Sequence, residues 1–378
     1  MRAPELRLYC FIDALGWKLA EQHGFLQDLL VTRAPLGTLL GYSSTCDPSI
    51  LTGKLPREHG HFSFFYYDRL GSPLRWLSPL RWLPKQLTSR GRVRHWISRL
   101  VAKAYGYTGY FQLYNVPFEA MAYLNYSEKR DIYQPGGILG GQPTFLDRWR
   151  ASIPYALSNW RHSEERNLQS LTQDLGRPQR AYLYLAAMDA VLHRDGTQAA
   201  SVRNKLQWYE KQLRQLVDRA SGHYDQVKLY LFSDHGMTDV VRNLDLRTPL
   251  ERMPLTYGKD YVAVIDSTVA RFWFLHAAAE RQIRDWLSNV AGGHLLSEQE
   301  LHAYGCDFPE HFYGQLWYLA DPGVLFCPGH LGEKPLAAMH GYDPEHPDSP
   351  GFFGASHEMP QTPAGLCDLY SLFCQDLP

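Results

Sequence analysis

The sequence predicts an α/β fold in which a mostly parallel central sheet carries helices on both faces. Short apolar runs of the kind buried on both sides of a sheet recur at 8–13, 181–189 and 227–234, with a weaker fourth at 351–356. Helical patterns lie between them; the one at 201–220 sets Leu206, Leu213 and Val217 on one face and charges on the other. Strands alternating with helices give a parallel sheet covered on both sides. The three strong runs close on Asp13, Asp189 and Asp234. Ligands of such sheets bind beyond the carboxyl ends of the strands, so these carboxylates are expected to converge.

Two stretches interrupt the alternation, and the chain is read as one domain, 1–378, decorated by them. The first, about 69–180, is an aromatic and basic cap; the second spans about 245–335. The cap opens with a tandem repeat, Ser-Pro-Leu-Arg-Trp-Leu at 72–77 and again at 78–83. No acidic residue falls between Asp68 and Glu119, whereas Arg69, Arg75, Arg81, Lys85, Arg90, Arg92, Arg94, Arg99 and Lys103 do. Interleaved with Trp76, Trp82 and Trp96, this run suits an anionic substrate or peripheral contact with lipid headgroups through 69–103. A solvated helical face over an apolar core explains it equally well. The aromatic cluster Tyr105, Tyr107, Tyr110, Phe111, Tyr114 and Phe118 could stack on a nucleobase or sugar, or form the core of a lid.

Overall charge is balanced, with 38 basic against 39 acidic residues, so no global field draws a nucleic acid polymer. The six cysteines are scattered without a Cys-x-x-Cys pair, which suits free thiols. The first strand begins too early to leave room for a secretory signal, and no apolar run approaches the roughly 20 residues of a membrane span. A cytoplasmic location is the expectation.

Chemistry concentrates in a few places. The segment 41–53, Gly-Tyr-Ser-Ser-Thr-Cys-Asp-Pro-Ser-Ile-Leu-Thr-Gly, crowds Ser43, Ser44, Thr45 and Cys46 at the start of a predicted helix. Free backbone N–H groups there favour an anion. Asp13, the Asp189/His193 pair four residues apart, the adjacent Asp234 and His235, and His340 supply six Asp and His side chains. Such donors suit a zinc-type ion. A lone aspartate after a strand is more often a cap or turn former, and a lone histidine more often core or surface. It is their joint occurrence that points to metal. Two divalent ions roughly 4 Å apart would activate a hydroxyl and polarise a phosphoryl oxygen.

These residues resemble the alkaline phosphatase superfamily, and within it the type I phosphodiesterase/nucleotide pyrophosphatase branch, over almost the whole chain. The resemblance rests on Asp13 after the first strand, Ile-Leu-Thr-Gly-Lys-Leu-Pro-Arg-Glu-His-Gly at 50–60, the Asp189-x-x-x-His193 step, Ser-Asp-His-Gly-Met-Thr-Asp-Val at 233–240 and His-Gly-Tyr-Asp at 340–343. It implies an alkaline phosphatase-like fold and a metal-dependent hydrolase of phosphate esters, foremost phosphodiesters or pyrophosphates, working through a covalent phosphoserine. It also implies two divalent ions, taken as zinc. Asp189, His193 and His340 would hold one; Asp13, Asp234, His235 and the nucleophile would hold the other. The family's nucleophile precedes the threonine of Thr-Gly by nine residues, which selects Ser43, with Ser44 and then Thr45 as alternatives. The substrate would be a small-molecule or lipid- or sugar-linked phosphate ester.

Two departures bear on this. The family's proline two residues after the nucleophile falls on Thr45, and the asparagine that follows its His-Gly element falls on Phe64, leaving Ser63 or His61 to donate to the phosphoryl oxygen. A phosphomonoesterase, a phosphonate hydrolase and a phosphoryl transferase share the two-ion scaffold and remain alternatives. Cys46-Asp-Pro-Ser49 superficially matches the sulfatase motif, but Ile50 stands where its arginine belongs. A binding protein on a retired scaffold would lack ligands, and none of the six is missing. The glycine-rich loop at 135–141 lacks the lysine of a phosphate-binding loop and reads as a hinge.

Overall fold

The run at 8–13 is the end of a ten-residue strand, β1 (Ala3–Ile12), at the centre of a six-stranded sheet. Its side chains alternate between two cores. Leu6, Leu8, Cys10 and Ile12 enter one, and Tyr9 and Phe11 enter the other. The remaining strands are β2 (Thr32–Leu36), β3 (Tyr155–Leu157), β4 (Arg180–Leu185), β5 (Tyr224–Phe232) and β6 (Gly351–Ala355), in the spatial order β2-β6-β5-β1-β4-β3. This computed structural model describes residues 3–84 and 90–377.

β1 runs parallel to β4 and β5, and β3 runs parallel to β4. The weak fourth run is indeed a strand, but β6 is antiparallel to both β5 and β2. The sheet is therefore mostly parallel with one reversed strand. Helices α1 (Ser43–Thr52) and α3 (Phe145–Ser152) cover one face, burying Cys46, Ile50, Phe145 and Trp149 there. On the other face lie α4 (Glu164–Asp174), α5 (Ala187–Asp195) and α6 (Ala200–Ser221), with Leu171, Leu192, Leu206 and Leu213 inward. The pattern read at 201–220 coincides with α6.

Two boundaries differ from the sequence reading. The run at 181–189 ends as a strand at Leu185, and Asp189 belongs to the first turn of α5. The first interruption of the sheet also ends near residue 144, well short of 180, because α3, β3 and α4 pack on or within the central sheet. The shorter cap contains a two-stranded ribbon (Phe65–Tyr67 with Leu124–Tyr126), a 3-10 stretch Arg75–Trp82 and the helix α2 (Gly91–Tyr105). Of the cap's nine cations Lys85 lies outside the described residues, and Arg94 is buried, donating to the Val116 carbonyl at 2.6 Å with its guanidinium over the Phe118 ring.

A second, antiparallel sheet joins Tyr261–Ile265, Val269–Phe274, Leu316–Ala320 and Gly293–Leu295. One side of it meets the cap through Val262, Val264 and Trp273. All six cysteines are free.

Candidate two-metal site at the carboxyl ends of the central strands

Helix α1 begins directly at Ser43, after extended Tyr42, and stops at Gly53, whose φ of 67° is the left-handed conformation that glycine adopts without strain. Three hydroxyls therefore occupy its first turn, and their surroundings separate them. Ser44 and Thr45 are buried and donate to the Phe62 carbonyl at 2.8 and 2.6 Å. The Ser43 hydroxyl is half-buried and lies 3.3 Å from His235 Nε2. Cys46 points into the core beneath the sheet, and burial pushes its thiol well above the usual range. It is a packing residue.

The six Asp and His side chains arrive from four places. Asp13 follows β1, Asp234 and His235 follow β5, Asp189 and His193 are one turn apart on α5, and His340 follows a short strand at Ala338–Met339. Donor atoms of Asp13, Asp234 and His235 lie within 4.8 Å of one another, and so do those of Asp189, His235 and His340. The second trio differs from the sequence reading, with His235 in the place given to His193. The His193 Nε2 sits 3.1 Å from Asp189 Oδ1, and its Nδ1 is 2.8 Å from the Ala338 carbonyl. His235 and His340 stack at 3.7 Å between ring centres, which brings the two trios together.

Asp13 Oδ1 and His340 Nδ1 are buried without a hydrogen-bond partner, and Asp189 Oδ1 and Asp234 Oδ2 have only an imidazole close by, His193 Nε2 at 3.1 Å and His235 Nε2 at 3.0 Å. Carboxylates gathered out of water with unmatched oxygens are costly unless cations compensate them. The donor set of three carboxylates and three imidazoles fits divalent ions of the zinc type.

The shifts of these groups follow from the crowding of acids at the site. Burial, then Asp234 and Asp189, raise the Asp13 carboxyl well above its ordinary value. Burial would lower His235, but Asp234 beside it wins and the imidazole is pushed up to about 9. His340 is held well below the ordinary histidine value by burial and by His235 and His193, which keeps it neutral, the form that ligates a metal.

Beside Ser43 opens a cavity of 280 Å³. Phe64, Tyr110, Tyr114 and Trp160 form its aromatic wall, with Phe64 5.5 Å from both Tyr110 and Tyr114. The sequence reading did not single out two carboxyls in this wall. Asp47, one turn beyond Ser43 on α1, accepts from the Tyr133 hydroxyl at 3.1 Å through one oxygen, and its other oxygen is buried without a partner. The Glu128 side chain has no hydrogen-bond or ionic partner among the described residues and is only 7% exposed. Burial, then neighbouring acids, push both to about 8. The i to i+4 spacing from Ser43 was a signal for Asp47; no pattern marked Glu128.

Neither proposed phosphoryl donor reaches the cavity wall. Ser63 donates to Asp266 at 2.9 Å and accepts from Arg271 at 2.9 Å, inside a fully buried ion pair. His61 Nε2 accepts from the Leu139 N–H at 2.8 Å. Nor is the 135–141 loop a hinge. Gly140 donates to the His59 carbonyl at 2.8 Å, and a Cβ there would meet the Glu58 carbonyl oxygen at 2.7 Å, so the loop is stitched against the segment following α1.

A mostly parallel sheet with acid and imidazole clusters past its strand ends, facing a serine at a helix start, is the architecture of the alkaline phosphatase superfamily. Residues 41–343 match the family model described as type I phosphodiesterase/nucleotide pyrophosphatase, and the chain belongs to that family of hydrolases. Among solved structures it is similar to human ectonucleotide pyrophosphatase/phosphodiesterase 5, with a TM-score of 0.68 and 13% identity, covering 99% of this chain and 94% of that one. The murine protein of the same name gives a TM-score of 0.66 at 15% identity, covering 100% and 96%. An inactive variant of the murine protein in complex with AMP matches equally, with a TM-score of 0.66 at 15% identity and coverage of 100% and 96%. No relative is found among curated protein sequences.

Proposed function

We propose that the protein hydrolyses phosphodiester or pyrophosphate bonds in small organic phosphate esters through a phosphoserine formed on Ser43, at a site for two divalent ions, zinc by its donors. The observation that carries this is the Ser43 hydroxyl, set against His235 where the buried carboxylates of Asp13, Asp189 and Asp234 gather with His340. Asp13, Asp234 and His235 would hold one ion, and Asp189 and His340, with His193 or His235, the other. Such a pair, when bound, lowers the pKa of a coordinated hydroxyl and neutralises phosphoryl charge.

The chain's own residues do the rest. Ser43 Oγ forms a bond to phosphorus as the bond to the leaving oxygen breaks, and water then cleaves the phosphoserine and restores the hydroxyl. The start of α1 directs backbone dipoles at the transferred group. Phe64, Tyr110, Tyr114 and Trp160 pack the organic substituent and keep water from it. A monoester carries such a substituent as well, so the preference for a diester or pyrophosphate bond rests on the family match. The murine homologue's complex with AMP supports a nucleotide-sized group there.

Comparing bis-p-nitrophenyl phosphate with p-nitrophenyl phosphate tests the reading. The zinc-loaded enzyme should prefer the diester by about tenfold or more in kcat/KM, and Ser43→Ala should lose about 10³-fold or more while keeping its metal. A zinc-replete protein that turns over neither ester contradicts it.

A further inference from the structure

The cap carries a surface that the reaction does not use. Its 3-10 stretch Arg75–Trp82 packs on the turn Phe118–Ala122 and is tied to helix α2 by a side-chain hydrogen bond. Trp76, near the start of the 3-10 stretch, donates to the hydroxyl of Tyr105 at the end of α2 at 3.0 Å. Leu74 and Leu77, next to or within the former, and Val101 of α2 enter one buried cluster. The residues on the other faces of both elements are exposed.

Those outward faces are unusual in composition. Trp76, Trp82 and Trp96 are 51%, 78% and 63% exposed, and Leu83 and Leu100 are exposed with them. Around them Arg75, Arg81, Arg92, Arg99 and Lys103 are all exposed, and none is paired with a carboxylate among the described residues. Arg81 lies over the Trp82 ring at 4.8 Å. On α2 the steps 92, 96, 99 and 103 place Arg, Trp, Arg and Lys along one stripe, while Arg94, Ser98 and Val101 turn inward. The two flanking acids are occupied elsewhere: Asp68 accepts from Asn125 at 2.7 Å, and Glu119 lines a separate cavity beside Arg247.

We infer that this helical pair docks on an anionic lipid surface. Tryptophan and leucine would enter the headgroup boundary, and the arginines and lysine would meet lipid phosphates. A purely electrostatic polyanion site has no use for three exposed indoles, whereas an interfacial helix combines both features. Among the described residues no helix is long and apolar enough to cross a membrane. The inference does not depend on the reaction proposed above.

Co-sedimentation of the full chain with vesicles tests it. Partitioning onto phosphatidylcholine vesicles with about 30% phosphatidylglycerol should exceed that onto pure phosphatidylcholine by about tenfold or more, and should fall at high salt. Trp82→Ala with Trp96→Ala, and separately Arg92→Glu with Arg99→Glu, should each lower it about tenfold. The far-UV circular dichroism and melting temperature of both variants should match wild type, showing that the fold is intact. Equal partitioning onto the two vesicles, or no effect of either pair, overturns the inference. So does duplex DNA that binds as tightly as the anionic vesicles and does so without the tryptophans.

Discussion

Ser43 and Ser44 are neighbours on one helical turn, yet a single backbone carbonyl divides their chemistry. Phe62 O accepts from Ser44 and Thr45, so those hydroxyls hold the start of α1 to the next segment while Ser43 is left facing His235. Ser44→Ala should therefore keep kcat within about fivefold and cost about 1 kcal/mol of stability, read from urea unfolding. If it instead loses activity as Ser43→Ala does, the two roles are exchanged. The six Asp and His side chains were legible because their types repeat at strand and helix ends. Glu128 was not, since its meaning lies wholly in what surrounds it. Its carboxyl goes from the ordinary 4.5 to about 8 in the fold. Below about pH 4.5 both folded and unfolded chains hold the proton. Between there and about 8 only the folded chain does, so stability is lost as pH rises through that window. Glu128→Gln removes this penalty. Its melting temperature should exceed wild type at pH 8, by the equivalent of up to about 4 kcal/mol, and match it near pH 4. A difference that is the same at both values would show that Glu128 has a partner in solution.

At the scale of elements, periodicity located the strands and α6 but misplaced one junction. The stretch from Tyr182 to Val191 is nearly all apolar, so nothing in it marks where β4 stops and α5 starts. The consequence is chemical: Asp189 and His193 share one helical face, where an i to i+4 pair can meet. Pairings between distant segments were also invisible. Ser63, expected to face substrate, bridges Asp266 of the second sheet to Arg271, and both members of that ion pair are fully buried. Removing one charge strands the other in the core. Asp266→Ala should cost about 3–5 kcal/mol in a denaturant titration, and Ser63→Ala considerably less. Loss of activity in Ser63→Ala with unchanged stability would return that hydroxyl to the site.

For the whole molecule, alternating runs and helices were enough to give the sheet and both its layers. They could not reveal β6 as reversed or end the cap near residue 144, because strand direction and edge pairing are set by long-range contacts. The site exists only at this scale, since its carboxylates come from positions 13, 189 and 234 and meet in one place. Bound divalent ions should therefore stabilise the fold as well as the reaction. Chelation should lower the melting temperature by several degrees, about 2–4 °C per kcal/mol for a chain this large, and zinc should restore it. A chelated protein that melts unchanged would remove the ions from the account.

The most direct measurement is to quench the zinc-loaded enzyme in acid during turnover of bis-p-nitrophenyl phosphate and map the modified peptide by mass spectrometry. A phosphoryl adduct should appear on Ser43 and be absent from Ser43→Ala. An adduct on Ser44 or Thr45, or turnover with no covalent adduct at any time point, would contradict it.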